Sequence, residues 1–160
     1  VNGFRRAAMM AALLILIAVS VELRSVRDAV LAMVPTVLGW LWMLGLMAAF
    51  GRTFDVANIV SLPLVIGIGT AFGAHIMHRC HESEREHGVA RLDDLVRSTG
   101  SAVVLSALTT IASFAALILG DYGGMKSFGG VMVMGISSCL VASLFALPAL
   151  LRILGRARAD

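Results

Sequence analysis

The chain has 160 residues, of which 59% are hydrophobic and only 14% charged, and its formal net charge is +3. A soluble domain carries roughly a quarter charged residues, so this balance argues against one. The positive charge comes from arginines beside apolar runs with no nucleic-acid motif near them, and nucleic acid is not an expected partner.

Apolar runs of ~18–22 residues, at ~1.5 Å rise per residue, match a hydrocarbon core ~30 Å thick. Five such runs are placed at about 7–23, 29–50, 56–77, 101–120 and 128–151. The expected fold class is an all-α integral membrane protein of five transmembrane helices plus one interfacial amphipathic helix. A secretory signal would account for the first run alone.

The first span is preceded by Arg5 and Arg6 and followed by the charged turn Glu22, Arg24, Arg27 and Asp28. The second carries Trp40 and Trp42 near its middle, a depth that suits packing between helices or lipid contact better than an interfacial belt. The third contains Pro63 and the glycine-dense stretch Gly67, Ile68, Gly69, Thr70, Ala71, Phe72 and Gly73. A polar segment follows, in which Val89, Leu92, Leu95 and Val96 recur at helical spacing among charges, and it predicts an interfacial helix over about 84–98. The turn Asp121 to Lys126 then separates the last two spans.

Four basic residues, Arg5, Arg6, Arg52 and Lys126, fall on one side of this arrangement. The other side holds nine: Arg24, Arg27, Arg79, Arg85, Arg91, Arg97, Arg152, Arg156 and Arg158. Cytoplasmic loops carry the excess, so the C-terminus is expected in the cytoplasm and the N-terminus outside. An outside N-terminus with no signal of its own leads to the expectation that an earlier membrane segment precedes this chain.

Polar groups at membrane depth usually face the bundle interior, because lipid offers them no partners. Ser106, Thr109, Thr110 and Ser113 fall at i, i+3, i+4 and i+7 and share one face of the fourth span. Close helix packing is one reading, since these hydroxyls can bond back to their own helix; the wall of a proton or water path is the other. On the third span Gly67, Ala71, His75 and His78 share a face, which would let a neighbouring helix approach where an imidazole points inward. His75 is thereby either a proton carrier or a hydrogen-bonded packing element. The cluster His75, His78, Cys80 and His81 spreads around one helix axis instead of converging, so no metal is expected. Cys80 and Cys139 read as free thiols. All Asp and Glu residues are assigned to loops, turns or the tail, which leaves no carboxylate at membrane depth. No nucleophile and base pair or nucleotide loop is evident, so neither an enzyme nor a cofactor is expected.

The run from Asn58 to Gly69 (NIVSLPLVIGIG) and that from Gly73 to Arg79 (GAHIMHR) resemble a helix of the MMPL-type resistance-nodulation-division transporters, especially their hopanoid transporter group. The segments SALTT from Ser106, GGMKSFG from Gly123 and LFALPALL from Leu144 resemble that family's closing helices in order and spacing. The resemblance implies two similar halves, each with a leading helix, a periplasmic domain and five further helices, of which this chain would be the last five. It also implies export of hopanoids, other lipids or hydrophobic molecules across a bacterial inner membrane, driven by proton entry through carboxylates on central helices. Membrane lipids, the absent N-terminal half and periplasmic domains, and a second copy of the chain in a homo-oligomer are the implied partners. The family's relay aspartate corresponds to Ala71, and Phe72 replaces a usual asparagine; Gly67, Gly69 and Gly73 match its packing positions, while Thr70, His75 and the hydroxyl face remain as candidate polar pathway. A coupling-deficient structural or lipid-sensing module is the alternative that this departure leaves open.

Overall fold

The computed structural model describes residues 2–53, 55, 59–87, 90–91, 100–154 and 157–158. Five long helices occupy most of them: α1 (Asn2–Leu23), α2 (Val26–Ala49), α3 (Ser61–His87), α4 (Gly100–Ile118) and α5 (Gly123–Ile153). Of these, α2 to α5 contain stretches long and apolar enough to cross a membrane, while α1 contributes the shorter apolar stretch Leu13–Leu23. The all-α membrane class read from the sequence holds. The one addition is a pair of two-residue strands, β1 (Ala90–Arg91) and β2 (Ala157–Arg158), which run parallel.

The element ends differ from the hydropathy reading in ways that have physical causes. Helix α3 continues to His87 instead of stopping near residue 77, because backbone hydrogen bonding does not need apolar side chains. An i,i+3 ion pair, Arg79 to Glu82 at 2.7 Å, lies on that polar extension. The expected interfacial helix over 84–98 is thus replaced at its start by the end of α3, and Ala90–Arg91 are extended; 88–89 and 92–99 lie outside the described residues. Helix α5 begins at Gly123, so most of the expected turn Asp121 to Lys126 is already helical. Pro63 sits in the first turn of α3, where its missing N–H would have had no helical acceptor.

Two turns fix the entry to and exit from α2. Arg24 takes a left-handed conformation with φ 52°, and Ser25 then caps α2, its Oγ accepting from the Asp28 N–H at 3.4 Å. After α2, Gly51 adopts φ 62°, a region open to glycine at little cost.

Helix α5 is central and packs on α2, α3 and α4, while α2 also packs on α3 and α1 leans on both α2 and α3. The buried face of α2 is Asp28, Ala29, Ala32, Pro35, Thr36, Gly39, Met43 and Met47, a spacing of three and four that a helix brings to one side. Lipid tails are as apolar as the side chains, so membrane helices associate through close packing at small residues and not through a hydrophobic drive. Gly39 shows this: a Cβ built there would lie 2.5 Å from the Cα of Cys139 on α5. Phe114 of α4 meets Phe128 of α5 edge to face with ring centroids 5.8 Å apart. Helices α3 and α4 scarcely touch, and this leaves a groove between them.

Candidate functional site

Ser106, Thr109 and Ser113 of α4 are exposed and Thr110 is half-buried, so this hydroxyl face points away from the described bundle and not into it. The inward expectation fails because Val103 and Ala107, on the adjoining side of α4, take the core positions. Each hydroxyl that donates does so to its own helix: Thr109 and Thr110 to the Ser106 carbonyl and Ser113 to the Thr109 carbonyl, all at 2.8 Å. Converting Ser106, Thr109 and Ser113 together to Ala, Val and Ala is therefore expected to move stability by no more than about 0.5 kcal/mol per site. Thermal unfolding of the detergent-solubilised protein checks this, and a large loss would mean that the hydroxyls hold something beyond their own backbone.

The same outward orientation applies to one face of α3. Ala71, His75 and His78 are exposed, and a Cβ at Gly67 would meet nothing within 4 Å. His75 does not point into the bundle as expected, since Phe72, Ala74, Ile76 and Met77 occupy the buried sides of the same turns. It opens instead on the α3–α4 groove, a space of about 300 Å³ lined by Phe72, His75, His78, Arg79, Ala102, Val103 and Ser106. The structure thus brings His75 and Ser106 to one groove. Thr70 belongs to the opposite side: it is buried, and its Oγ1 donates to the Ile66 carbonyl at 2.6 Å.

The glycines divide in the same way. A Cβ at Gly69 would fall 2.9 Å from both Cys139 Sγ and Thr36 Cγ2, and one at Gly73 would collide with the Ala32 carbonyl, so both sit where α3 meets its neighbours. Gly67 lies on the open face. Cys80 and Cys139 are buried thiols that are not joined in a disulfide. Among the described residues no group of three or more His, Cys, Asp or Glu is placed to hold a metal.

Sequence reasoning missed Asp28. Read as part of a charged turn, it lies inside the first turn of α2 and is only 5% exposed. Its Oδ2 is 2.8 Å from His81 Nε2 on the polar end of α3. The helix N-terminus favours a carboxylate at this position, and the imidazole supplies a donor. A capping pattern with Ser25 three residues earlier was the local signal, and the four-residue steps from Asp28 to Ala32 and Thr36 placed it on the packing face. Also unforeseen are polar atoms buried without a hydrogen-bond partner among the described residues: Thr36 Oγ1, Trp40 Nε1 and Ser143 Oγ. Trp42, by contrast, is half exposed on the bundle surface.

The MMPL family profile matches residues 2–160. A membrane protein of Methanocaldococcus jannaschii is 32% identical over 140 residues, covering 86% of this chain and 36% of that protein. The hopanoid transporter HpnN of Rhodopseudomonas palustris is 30% identical over 151 residues, covering 94% of this chain and 17% of the transporter. An apo-petrobactin exporter of Bacillus anthracis is 29% identical over 140 residues, with 81% and 19% covered. The chain spans between a sixth and about a third of the length of these relatives, and no solved structure matches it. With a family match along nearly its whole length and helices apolar enough for several membrane crossings, the chain belongs to the MMPL family of resistance-nodulation-division transporters.

Proposed function

We propose that this chain is the C-terminal membrane portion of a proton-motive-force-driven exporter of hopanoids or other lipids and hydrophobic molecules in a bacterial inner membrane, with its C-terminus cytoplasmic. The observation that carries the reading is the outward polar strip formed by His75 and His78 of α3 with Ser106, Thr109 and Ser113 of α4, beside which Ala71 is also exposed. An imidazole at membrane depth is costly against lipid, whereas the hydroxyls are met by their own helix, so it is the imidazoles of the strip that are best accounted for by protein or water on that side. The relatives' greater length provides the protein: the remaining helices of the transporter would cover the strip and supply a carboxylate opposite Ala71. The distribution of arginine supports the orientation. The names of the hopanoid and petrobactin transporters support export of a bulky cargo, and hopanoid-like lipids are the favoured one.

The test uses the full-length protein in vesicles containing a hopanoid, with export followed under an imposed proton gradient. His75→Ala is expected to lower gradient-driven export several-fold, and Ala71→Asp to change its dependence on the gradient. If neither substitution alters export, the strip is no part of the coupling. The alanine at residue 71 favours one rival, a coupling-deficient structural or lipid-sensing module. Hopanoid binding by the full-length protein together with export indifferent to the gradient would select that rival.

A further inference from the structure

Residue 71 carries no carboxylate, yet the bundle does bury one. Among the described residues Asp28 is the only buried acidic side chain, and it faces His81 from a different helix across 2.8 Å. With Asp28 as the carboxylate, the hydrogen of this bond is on His81 Nε2, and the second ring nitrogen is left to gain or lose a proton. We propose that Asp28 and His81 form a proton-binding station of this half of the transporter, at the cytoplasmic end of α2 and α3. The inference rests on the proton-driven reading above and adds a site that the polar strip does not contain.

Access supports it. Asp28 and His81 border a cavity of about 750 Å³ between the end of α1, the start of α2 and the polar end of α3. Asp28 also borders a second cavity of about 760 Å³ that opens toward Leu154 beyond α5. A group 5% exposed that borders two spaces roomy enough for water can be screened from bulk solvent and still exchange protons with it. The charged groups facing the pair are Glu22 from α1, Arg24 from the turn, and His78, Glu82, Glu84 and Arg85 from α3, with Arg27 on the side of the second cavity. Of these, Glu82 is tied to Arg79.

Position supports it as well. Asp28, Ala32 and Thr36 step along one buried face of α2, and Thr36, ~12 Å further in at ~1.5 Å per residue, carries a buried hydroxyl without a partner among the described residues. On α3, Thr70 and His81 both lie toward the bundle, whereas His75 lies away from it. The step itself is simple: a hydronium ion in the cavity gives one proton to the neutral imidazole, leaving water and an imidazolium beside the unchanged Asp28 carboxylate, and the imidazolium later returns that proton to water as hydronium. Asp28 keeps its charge throughout and compensates that of the ring.

The test follows proton flux through the full-length protein in vesicles of phosphatidylethanolamine and phosphatidylglycerol with a hopanoid, using an enclosed pH-sensitive dye. Asp28→Asn and His81→Gln keep similar size and hydrogen-bonding capacity but remove the carboxylate charge or the imidazole. Each is expected to reduce hopanoid-dependent proton flux at least tenfold and to flatten its dependence on pH, while Asp28→Glu retains most of it. Thermal unfolding of each variant is measured alongside, and unfolding temperatures close to that of the unsubstituted protein are expected. If the unsubstituted protein carries gradient-driven flux and both isosteric variants keep it, the station is wrong and the exporter reading stands. If flux falls only in step with lost thermal stability, or Asp28→Glu fails to restore it, Asp28 is a structural tie and the proposal is overturned. If the unsubstituted protein shows no hopanoid-dependent flux, the proton-driven reading fails and the station with it.

Discussion

Gly39→Leu is expected to separate α2 from α5 and to leave little folded protein after solubilisation. A Cβ at residue 39 would lie 2.5 Å from the Cα, 2.7 Å from the backbone N and 2.7 Å from the Sγ of Cys139. Two of those atoms are backbone in the middle of a helix, so no side-chain rotation relieves the overlap. Overpacking a well-filled core costs about 1–3 kcal/mol when side chains can shift. Here helices must part, and the interface that opens is the one holding the central helix α5 against α2, so a loss of stability above about 3 kcal/mol is expected. Gly45 is the control on the same helix: nothing lies within 4 Å of a Cβ built there. Gly45→Ala is expected to leave stability within about 0.5 kcal/mol of the parent. Thermal unfolding in detergent compares the two, and a tolerated Gly39→Leu would show that α2 and α5 do not approach as closely as the structure has it.

That contrast between two glycines of α2 shows what the sequence could and could not convey. Hydropathy located the spans, because lipid imposes a length and a composition that can be read residue by residue. Helix ends were less legible: the polar residues after Met77 mark where α3 leaves lipid, not where its hydrogen bonding stops, and the helix continues to His87. Facing was only half legible. Periodicity put Ser106, Thr109 and Ser113 on one side of α4, and Gly67, Ala71 and His75 on one side of α3, but it cannot say which side meets the other helices. The interior assignment rested on lipid offering polar groups no partner; in the described bundle those faces look outward, and the core is built from Ala107, Val103, Met77 and Ile76 instead. The pairing of Asp28 with His81 joins residues 53 positions apart through the relative rotation of α2 and α3. The spacing pattern of a single chain says nothing of that rotation.

Thr36→Val and Ser143→Ala are each expected to stabilise the bundle by about 1–3 kcal/mol, against the usual direction of core substitutions. Both side chains are almost wholly buried, and neither hydroxyl has a hydrogen-bond partner among the described residues. The residues belong to one locality: Gly39 faces Cys139 on two antiparallel helices, and Thr36 and Ser143 each lie about one turn from that contact in the same direction. Thr36 already serves the packing with other atoms, its Cγ2 facing Gly69 and its carbonyl accepting from Cys139 Sγ at 3.9 Å. Valine keeps the methyl and the backbone, so what the substitution removes is the desolvated hydroxyl alone. Unfolding temperatures of the single variants and of the pair measure the effect. A gain means that the hydroxyls are dry and are retained for a reason other than stability, in keeping with a polar line leading inward from Asp28. A loss would mean that bound water joins Thr36 to Ser143, because a water satisfying both hydroxyls is stabilising and either substitution would strip it of a partner.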